Sequence, residues 1–396
     1  MAKIGIYGGS FNPPHMGHIL AAKEFQKHLD LDALIFVPAA QPPHKQLPAD
    51  TPAPEIRLEL LRLAAENLPF AQVDPLEFSR EGNSYTVDIL RQFRGKYPTD
   101  TLYLCMGTDM FLALDSWYRP EDICRMAIPA MVSRRKDDPD ALRQQAEKLK
   151  RAYGTEPIIL SNAYVDISST TVRRLLILGG AQAYLPEKVL NRICELGLYG
   201  TGRSRKGLSF EALKRESLAL HKSKRVPHVI GCSETAAELA RIYGVDPVDA
   251  ARAGILHDVT KALEGPEQLL LCDTYQLPIS KFEREHTKLL HSVTGSAVAK
   301  HVFGENEAVC QAIWYHTSGR ANMSTLEKIL YVADYMEPNR DFPGVEQLRH
   351  LAFTDLDAAL LLGLEMTAEH LKNQGAEMGQ NSMDAIAFLK GEANPI

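Results

Sequence analysis

Strand-like and helix-like hydrophobic patterns alternate along the first half of the chain, and this alternation constrains the fold more than any other feature. Residues 3–7 are typical of a short buried strand, residues 8–17 form a turn-rich run, and residues 18–28 have the spacing of an amphipathic helix. Further strand-like runs, alternating with helical stretches, lie at 33–37, 71–73, 101–106, 128–132 and 158–160. The pattern predicts an α/β domain with a parallel sheet wrapped by helices.

The alternation ends near Gly197, and a short basic stretch follows. Residues 201–207, TGRSRKG, contain three basic residues and two glycines but no large apolar side chain. Long amphipathic patterns with little strand character then lie at 210–221, 232–243, 248–256, 326–336 and 356–373. We therefore predict an α/β domain at 1–200, a linker at 201–207 and an all-α helical bundle at 208–396.

Length and composition exclude several classes of protein. A chain of 396 residues is longer than one hydrophobic core usually supports, which agrees with two domains. No apolar run approaches the roughly 20 residues that cross a bilayer, and the N-terminus lacks the long apolar core of a signal peptide. The six cysteines show no paired spacing, which favours reduced thiols. We expect a cytoplasmic protein without a membrane partner.

The net charge of −6 gives the chain no general attraction to nucleic acid polymers. Any phosphate binding should therefore be local, which favours small nucleotides as ligands. The sequence leaves the oligomeric state open, a homo-oligomer included.

A run rich in glycine and histidine, GGSFNPPHMGH, lies where the first strand passes into the first helix. Nucleotides bind at this place in open α/β sheets. Gly8 and Gly9 let the backbone approach a ligand, and the predicted helix start at His18 offers free N–H groups to phosphate. An isolated pair such as His15 and His18 more often belongs to a turn with surface histidines, but the whole run is far more specific.

A second phosphate-binding pattern lies near the end of the same domain. Residues 167–173, ISSTTVR, place hydroxyl groups at a predicted helix start and Arg173 on its first turn. These groups supply donors for a polyphosphate, although alone they would make an ordinary helix cap.

The two motifs resemble the paired signature of the nucleotidyltransferase superfamily, HxGH with (I)SSTxxR. Together with VPAAQPPHK at 37–45, SYTVD at 84–88, GTD at 107–109 and Trp117, they are similar to bacterial nicotinate-nucleotide adenylyltransferases over nearly all of residues 1–200. The resemblance implies a Rossmann-like fold. It also implies transfer of AMP from ATP to nicotinate mononucleotide, which gives nicotinate adenine dinucleotide and pyrophosphate in NAD biosynthesis.

The resemblance also implies roles for individual residues. His15, His18, Lys45 and Arg173 would be catalytic, and His44, Lys45, Thr86 and Trp117 would bind the mononucleotide. The implied ATP-binding residues are Gly8, Gly9, Ser10, Phe11, His18, Asp109, Ser168, Ser169, Thr170 and Arg173. Without the resemblance, Trp117 is equally interpretable as a core residue.

The chemistry of this reaction agrees with these residue types. The attacking phosphate is mostly dianionic near neutral pH because its second pKa is about 6, so no strong general base is required. Charge neutralisation by His, Lys, Arg and a Mg²⁺ ion on the phosphates is required instead. The alternative acceptors are nicotinamide mononucleotide and phosphopantetheine, and SYTVD and Trp117 argue against the latter.

Nine of the 13 histidines lie after residue 220, and four of them belong to an ordered series with two aspartates. The series is His228, His257, Asp258, His291, His316 and Asp334. Imidazole and carboxylate groups that project from several helices into one bundle core suit Fe, Mn or Zn. The remaining histidines in this half are predicted to be surface or core residues, with His286 the nearest to the series.

The series and its contexts resemble the HD-domain phosphohydrolases, and more narrowly the bacterial HD-type symmetrical diadenosine tetraphosphate hydrolases. The resemblance implies hydrolysis of diadenosine tetraphosphate to two ADP at a di-iron or other divalent metal pair. Asp258 would bridge the metals, with His228, His257 and Asp334 on one and His291 and His316 on the other. Lys261, Arg320 and Arg340 are candidate phosphate contacts. Other phosphoester substrates, or a metal-bound regulatory module without activity, remain alternatives.

Overall fold

The computed structural model describes residues 1–40, 47–79, 85–133, 137–161 and 167–391. His44 and Lys45 therefore lie outside the described residues. The chain divides into two compact units. The first comprises Met1–Ile177 with Ala181–Arg203, and the second comprises Leu178–Gly180 with the chain from Ser204 onward.

The first unit contains a parallel sheet of six strands, in the order β3-β2-β1-β4-β5-β6. The strands are β1 (Lys3–Gly9), β2 (Ala33–Pro38), β3 (Ala71–Val73), β4 (Thr101–Gly107), β5 (Ile128–Ser133) and β6 (Ile158–Ser161). The predicted α/β class is confirmed. Strand order reverses between β1 and β4, and ligands bind at such a switch point, outside the carboxyl ends of the strands.

Helices follow the strands and cover the sheet. They are α1 (Met16–Leu29), α2 (Pro54–Ala65), α3 (Thr86–Lys96), α4 (Thr108–Leu112), α5 (Pro120–Met126), α6 (Pro139–Tyr153), α7 (Ser169–Leu178) and α8 (Glu187–Glu195). Buried Ile4, Ile6, Leu102 and Leu104 from the two central strands belong to one core cluster. This burial explains the near-continuous apolar runs of these strands, which are typical of parallel sheets.

The helix α1 begins two residues earlier than the sequence predicts, at Met16 rather than His18. His15 is its N-cap, and the His15 backbone N–H donates to Nδ1 of His18 at 3.2 Å. This hydrogen bond closes the first turn of the helix. The apolar spacing alone places the residues before His18 in the preceding loop.

The second unit is helical in its described residues, as predicted. Its helices are α9 (Phe210–Leu220), α10 (Val226–Ile242), α11 (Pro247–Leu256), α12 (Gly265–Thr274), α13 (Lys281–Glu285), α14 (Leu290–Val298), α15 (Glu307–Tyr315), α16 (Thr325–Met336), α17 (Val345–Ala352), α18 (Leu356–Asn373) and α19 (Gln380–Leu389). The closely packed helices α10, α11, α14, α15 and α16 form its centre. Each of them, or the residue directly after it, supplies a member of the histidine and aspartate series.

Candidate functional site

The turn between β1 and α1 brings backbone and imidazole groups to the switch point of the sheet. Phe11 has a φ of 44°, in the left-handed region, and its ring lies 4.9 Å from that of His18 between centroids. A Cβ on Gly9 would lie 3.0 Å from the Phe11 ring, so glycine permits this close approach. The His15 and His18 rings lie 3.7 Å apart, and His15 is buried.

The second motif is bonded directly to this turn. Ser168 caps α7, because its Oγ accepts from the Thr171 N–H at 3.1 Å. Arg173 donates from Nη1 to the carbonyl oxygen of Asn12 at 2.6 Å, and Ser169 Oγ donates to that of Pro13 at 3.0 Å. The starts of α1 and α7 therefore lie together. Two helix N-termini, which favour negative charge, and the Arg173 guanidinium therefore meet at one place, which suits an anion.

The remaining candidates of this unit lie on separate elements. Asp109 is exposed in the first turn of α4, directly after β4, and Thr86 is the first residue of α3. Trp117 is half-buried and packs against the hydrophobic core. That contact fits the core interpretation of Trp117, while its exposed part leaves a surface for a ligand.

Arg57 is a buried residue of this site that the sequence analysis missed. It is 1% exposed, and burial lowers the pKa of its guanidinium. Its Nη1 donates to the carbonyl oxygens of Ser10 and Ala39, at 3.1 and 2.7 Å, and its Nη2 to that of Ala40 at 3.0 Å. Arg57 thus ties the turn after β1 to the segment after β2.

The second unit brings its histidine and aspartate series together in one buried cluster. His228 Nε2 lies 3.1 Å from Asp334 Oδ1. His257 Nε2 lies 3.5 Å from Asp258 Oδ2, and His291 and His316 point Nε2 at Oδ1 of the same aspartate, at 3.3 and 3.8 Å. Asp258 is 0% exposed.

In three histidines of the cluster, a backbone carbonyl oxygen holds the second ring nitrogen, Nδ1. Nδ1–H donates at 2.7 Å to the carbonyl oxygen three residues earlier in each of His257, His291 and His316. In a neutral ring of this tautomer, Nε2 presents a lone pair to the cluster. Burial lowers the pKa of His316 to about 4, which keeps this ring neutral.

The cluster has the properties of a metal site. His228 and His257 face each other through Nε2 atoms 3.3 Å apart, so they share a proton in a hydrogen bond or, when it is bound, a metal ion. Asp258 Oδ1 and His316 Nε2 are buried and have no hydrogen-bond partner among the described residues. Two overlapping groups have ligand atoms within 4.8 Å of one another: His228, His257 and Asp334, and His257, Asp258 and His316.

The carboxyl group of Asp258 is ionised, as a metal ligand must be. Burial acts to raise the pKa of its carboxyl, but His257 and Lys261 outweigh this effect and hold the pKa well below its usual range. The buried carboxylate is therefore ionised. The pKa of His257 is itself raised well above its usual value, so its Nε2 carries a proton that a bound metal would displace. The donor set of imidazole nitrogens and carboxylate oxygens fits Fe, Mn or Zn.

Cationic side chains that remain partly exposed to solvent surround the cluster. Arg225, which the sequence analysis did not select, donates from Nε to Asp258 Oδ2 at 2.6 Å, and Arg340 donates from Nη2 to Asp334 Oδ1 at 2.7 Å. Lys261 Nζ donates to His291 Nε2 at 2.7 Å, so a metal ligated by His291 requires this lysine to move. Arg320 is bound elsewhere, to Glu327.

Histidines outside the series have other partners. His221 is buried and donates from Nδ1 to the Ser217 carbonyl oxygen at 2.8 Å. His286 is exposed and stacks on Phe282. His286 is absent from both metal-ligand groups found among the described residues.

Comparison with protein families divides the chain in the same way. A model described as cytidylyltransferase-like matches residues 6–175, and one described as HD domain matches residues 225–339. Within the described part of the chain, every helix is too short or too polar to span a membrane.

Curated relatives match one half of the chain. The probable nicotinate-nucleotide adenylyltransferase of Geobacter metallireducens is 37% identical over 217 residues, 50% of this chain and 98% of the relative. That of Carboxydothermus hydrogenoformans is 36% identical over 44% of this chain and 85% of the relative. The crystal structure of a predicted HD superfamily hydrolase involved in NAD metabolism, from Clostridium acetobutylicum, is 36% identical. The match covers 47% of this chain and 99% of the crystallised chain, with a TM-score of 0.46.

The chain belongs to the nicotinate-nucleotide adenylyltransferase family through its α/β unit, and its helical unit carries an HD domain.

Proposed function

We propose that the first unit transfers the adenylyl group of ATP to nicotinate mononucleotide. The observation that carries the proposal is the bond between Arg173 and Asn12, because it joins the helix starts of both phosphate motifs at the switch point of the sheet. Relatives named for this reaction are matched over nearly their whole length. His15, His18, Ser169, Thr170 and Arg173 would contact the ATP phosphates.

The reaction requires neutralisation of charge more than proton transfer. The acceptor phosphate attacks the α-phosphorus of ATP, a P–O bond forms, and the bond to the β-phosphate breaks to release pyrophosphate. Arg173 and the helix N–H groups would hold the negative charge of the transition state, a contribution typically worth a factor of about 10² to 10³ in rate per donor. Mg²⁺ bound to ATP would supply further positive charge on the phosphate oxygens.

Isotopic labelling tests the type of reaction. Full-length protein is incubated with nicotinate mononucleotide and ATP labelled at either the α- or the γ-phosphorus. Adenylyl transfer places the α-label in the dinucleotide and the γ-label in pyrophosphate. A γ-label in the acceptor would indicate phosphoryl transfer and contradict the proposal.

For the HD domain, we propose hydrolysis of diadenosine tetraphosphate to two ADP, which would make the protein bifunctional. The buried cluster supports metal-dependent chemistry, and the adjacent Arg225, Lys261 and Arg340 supply positive charge for a polyphosphate. His228, His257 and Asp334 would hold one metal of an iron pair, His291 and His316 the other, and Asp258 both. Such a pair, when bound, lowers the pKa of water toward about 7 and polarises phosphoryl oxygens.

Metal analysis and product analysis test this second activity together. The full-length protein should contain iron or another divalent metal and should release ADP alone from diadenosine tetraphosphate. Asp258→Asn should abolish both properties, whereas the exposed His286→Ala should retain them. A protein with metal that hydrolyses another phosphoester would exclude this substrate. A protein with metal but no hydrolytic activity would support the regulatory module.

We also propose the domain limits 1–200 and 208–396 with a linker at 201–207. The division of the compact units at Arg203 and Ser204 supports this placement. Limited proteolysis should cleave first within 201–207, and first cleavage elsewhere in the chain would contradict the proposed linker.

A further inference from the structure

His228 differs from the other three histidines of the cluster in the partner of its Nδ1. His257, His291 and His316 each donate to a backbone carbonyl oxygen. His228 donates instead to Oε1 of Glu337 at 3.0 Å. A carboxylate behind a ligating imidazole fixes the tautomer and the orientation of the ring, and it adds negative charge next to the metal.

Glu337 is firmly held in this position. Its side chain is 1% exposed, and Oε2 accepts from both the backbone N–H and Nδ2 of Asn339, each at 2.7 Å. A Cβ on Gly231 would lie 2.4 Å from this oxygen. Glycine at this point of α10 therefore leaves the space that the carboxylate fills.

The Glu337 carboxylate interacts with two basic groups, His228 by direct contact and Arg340 through its charge. Among the ion pairs of the described residues, its only partner is His228. Asn339 contributes neutral donors, which satisfy hydrogen bonding but supply no charge. His228 is the group in direct contact with this carboxylate, so a metal ion at its Nε2 would be stabilised by Glu337 through the ring.

We propose that Glu337 is a positioning residue that orients His228 and raises the affinity of the cluster for its metal. The inference rests on the metal site of the proposed function. Asp334 lies near the end of α16 and Glu337 directly follows that helix. One short segment thus supplies both a metal ligand and the partner of another ligand.

Metal affinity of the stripped full-length protein tests the inference. Wild type, Glu337→Gln and a control, Glu305→Gln, are titrated with Zn²⁺ and with Co²⁺ against a chromophoric chelator. Glu305 is also a buried glutamate of this unit, and it accepts two hydrogen bonds from Arg252. The thermal unfolding midpoint of each metal-free variant measures structural damage.

We expect Glu337→Gln to weaken binding by about 10- to 100-fold, with a changed visible spectrum of the Co²⁺ form, while Glu305→Gln binds as wild type does. Equal affinities for wild type and Glu337→Gln would overturn the inference alone. Equal losses in both variants would also overturn it, because they would indicate a general effect of changing a buried glutamate. A wild type that binds neither metal would overturn the metal site and the inference together.

Discussion

The guanidinium of Arg173 donates to the carbonyl oxygen of Asn12 although 161 residues separate the two. It also donates to Thr170 Oγ1 at 3.2 Å. This fork fixes the start of α7 against the turn after β1. Lysine keeps the charge but cannot form the planar fork.

Arg173→Lys is therefore expected to lower kcat/KM for adenylyl transfer by about 100-fold. The measurement is the steady-state rate with both substrates varied. Arg143→Lys on α6, where Arg143 is exposed and pairs with Asp140, provides a control that should change the rate less than about twofold. Similar rates for wild type and Arg173→Lys would exclude the fork from the reaction.

Arg57 should contribute to stability through the three carbonyl oxygens that it binds. Arg57→Leu leaves buried acceptors without a donor, and we expect the free energy of unfolding to fall by about 3 kcal/mol. Urea denaturation measures the change. Arg62→Leu, at an exposed position of the same helix, should change it by less than about 0.5 kcal/mol. A loss below about 1 kcal/mol for Arg57→Leu would contradict this role.

His221 should make stability depend on pH. Burial lowers its pKa to about 4, an effect that nearby His257 increases and that the Ser217 carbonyl and Asp258 oppose. In the unfolded chain this histidine has a pKa of about 6.5. Between about pH 4 and about pH 6.5 the unfolded state therefore binds more protons than the folded state. Stability is thus lost as the pH falls from about 6.5 to about 4, by at most about 3 kcal/mol.

His221→Gln should remove that part of the pH dependence. Denaturation of wild type and variant at several pH values between 4 and 7 gives the difference between their slopes. Parallel stability profiles would show that His221 does not titrate differently in the two states.

Removal of metal should destabilise the helical unit. A ligand present at 100 times its dissociation constant stabilises the folded state by about 2.7 kcal/mol. Chelation should therefore lower the unfolding midpoint of the HD domain, and calorimetry should show no such change in Asp258→Asn. A chelator effect that persists in Asp258→Asn would indicate a metal bound elsewhere.

The sheet and the helical unit could be predicted because each depends on a local pattern of apolar residues. The histidine and aspartate series was selected by its order along the chain, and the structure brings its members together, while their role as ligands stays a prediction. Apolar runs such as 101–106 are buried on both faces, and the contexts of His257 and Asp258 are specific. Arg57, Arg225 and Glu337 are different, because their roles depend on partners distant in sequence. Arg57 did give a signal, since it occupies the first position of an apolar stripe that continues at Leu60, Leu61 and Ala64.

The preference between acid and amide acceptors tests the central claim most directly. We would measure kcat/KM of the full-length protein for nicotinate mononucleotide and for nicotinamide mononucleotide at saturating ATP. The account predicts formation of nicotinate adenine dinucleotide, with the acid preferred by at least about tenfold, which corresponds to about 1.4 kcal/mol in the transition state. An equal or higher value for the amide, or no dinucleotide from the acid, would contradict it.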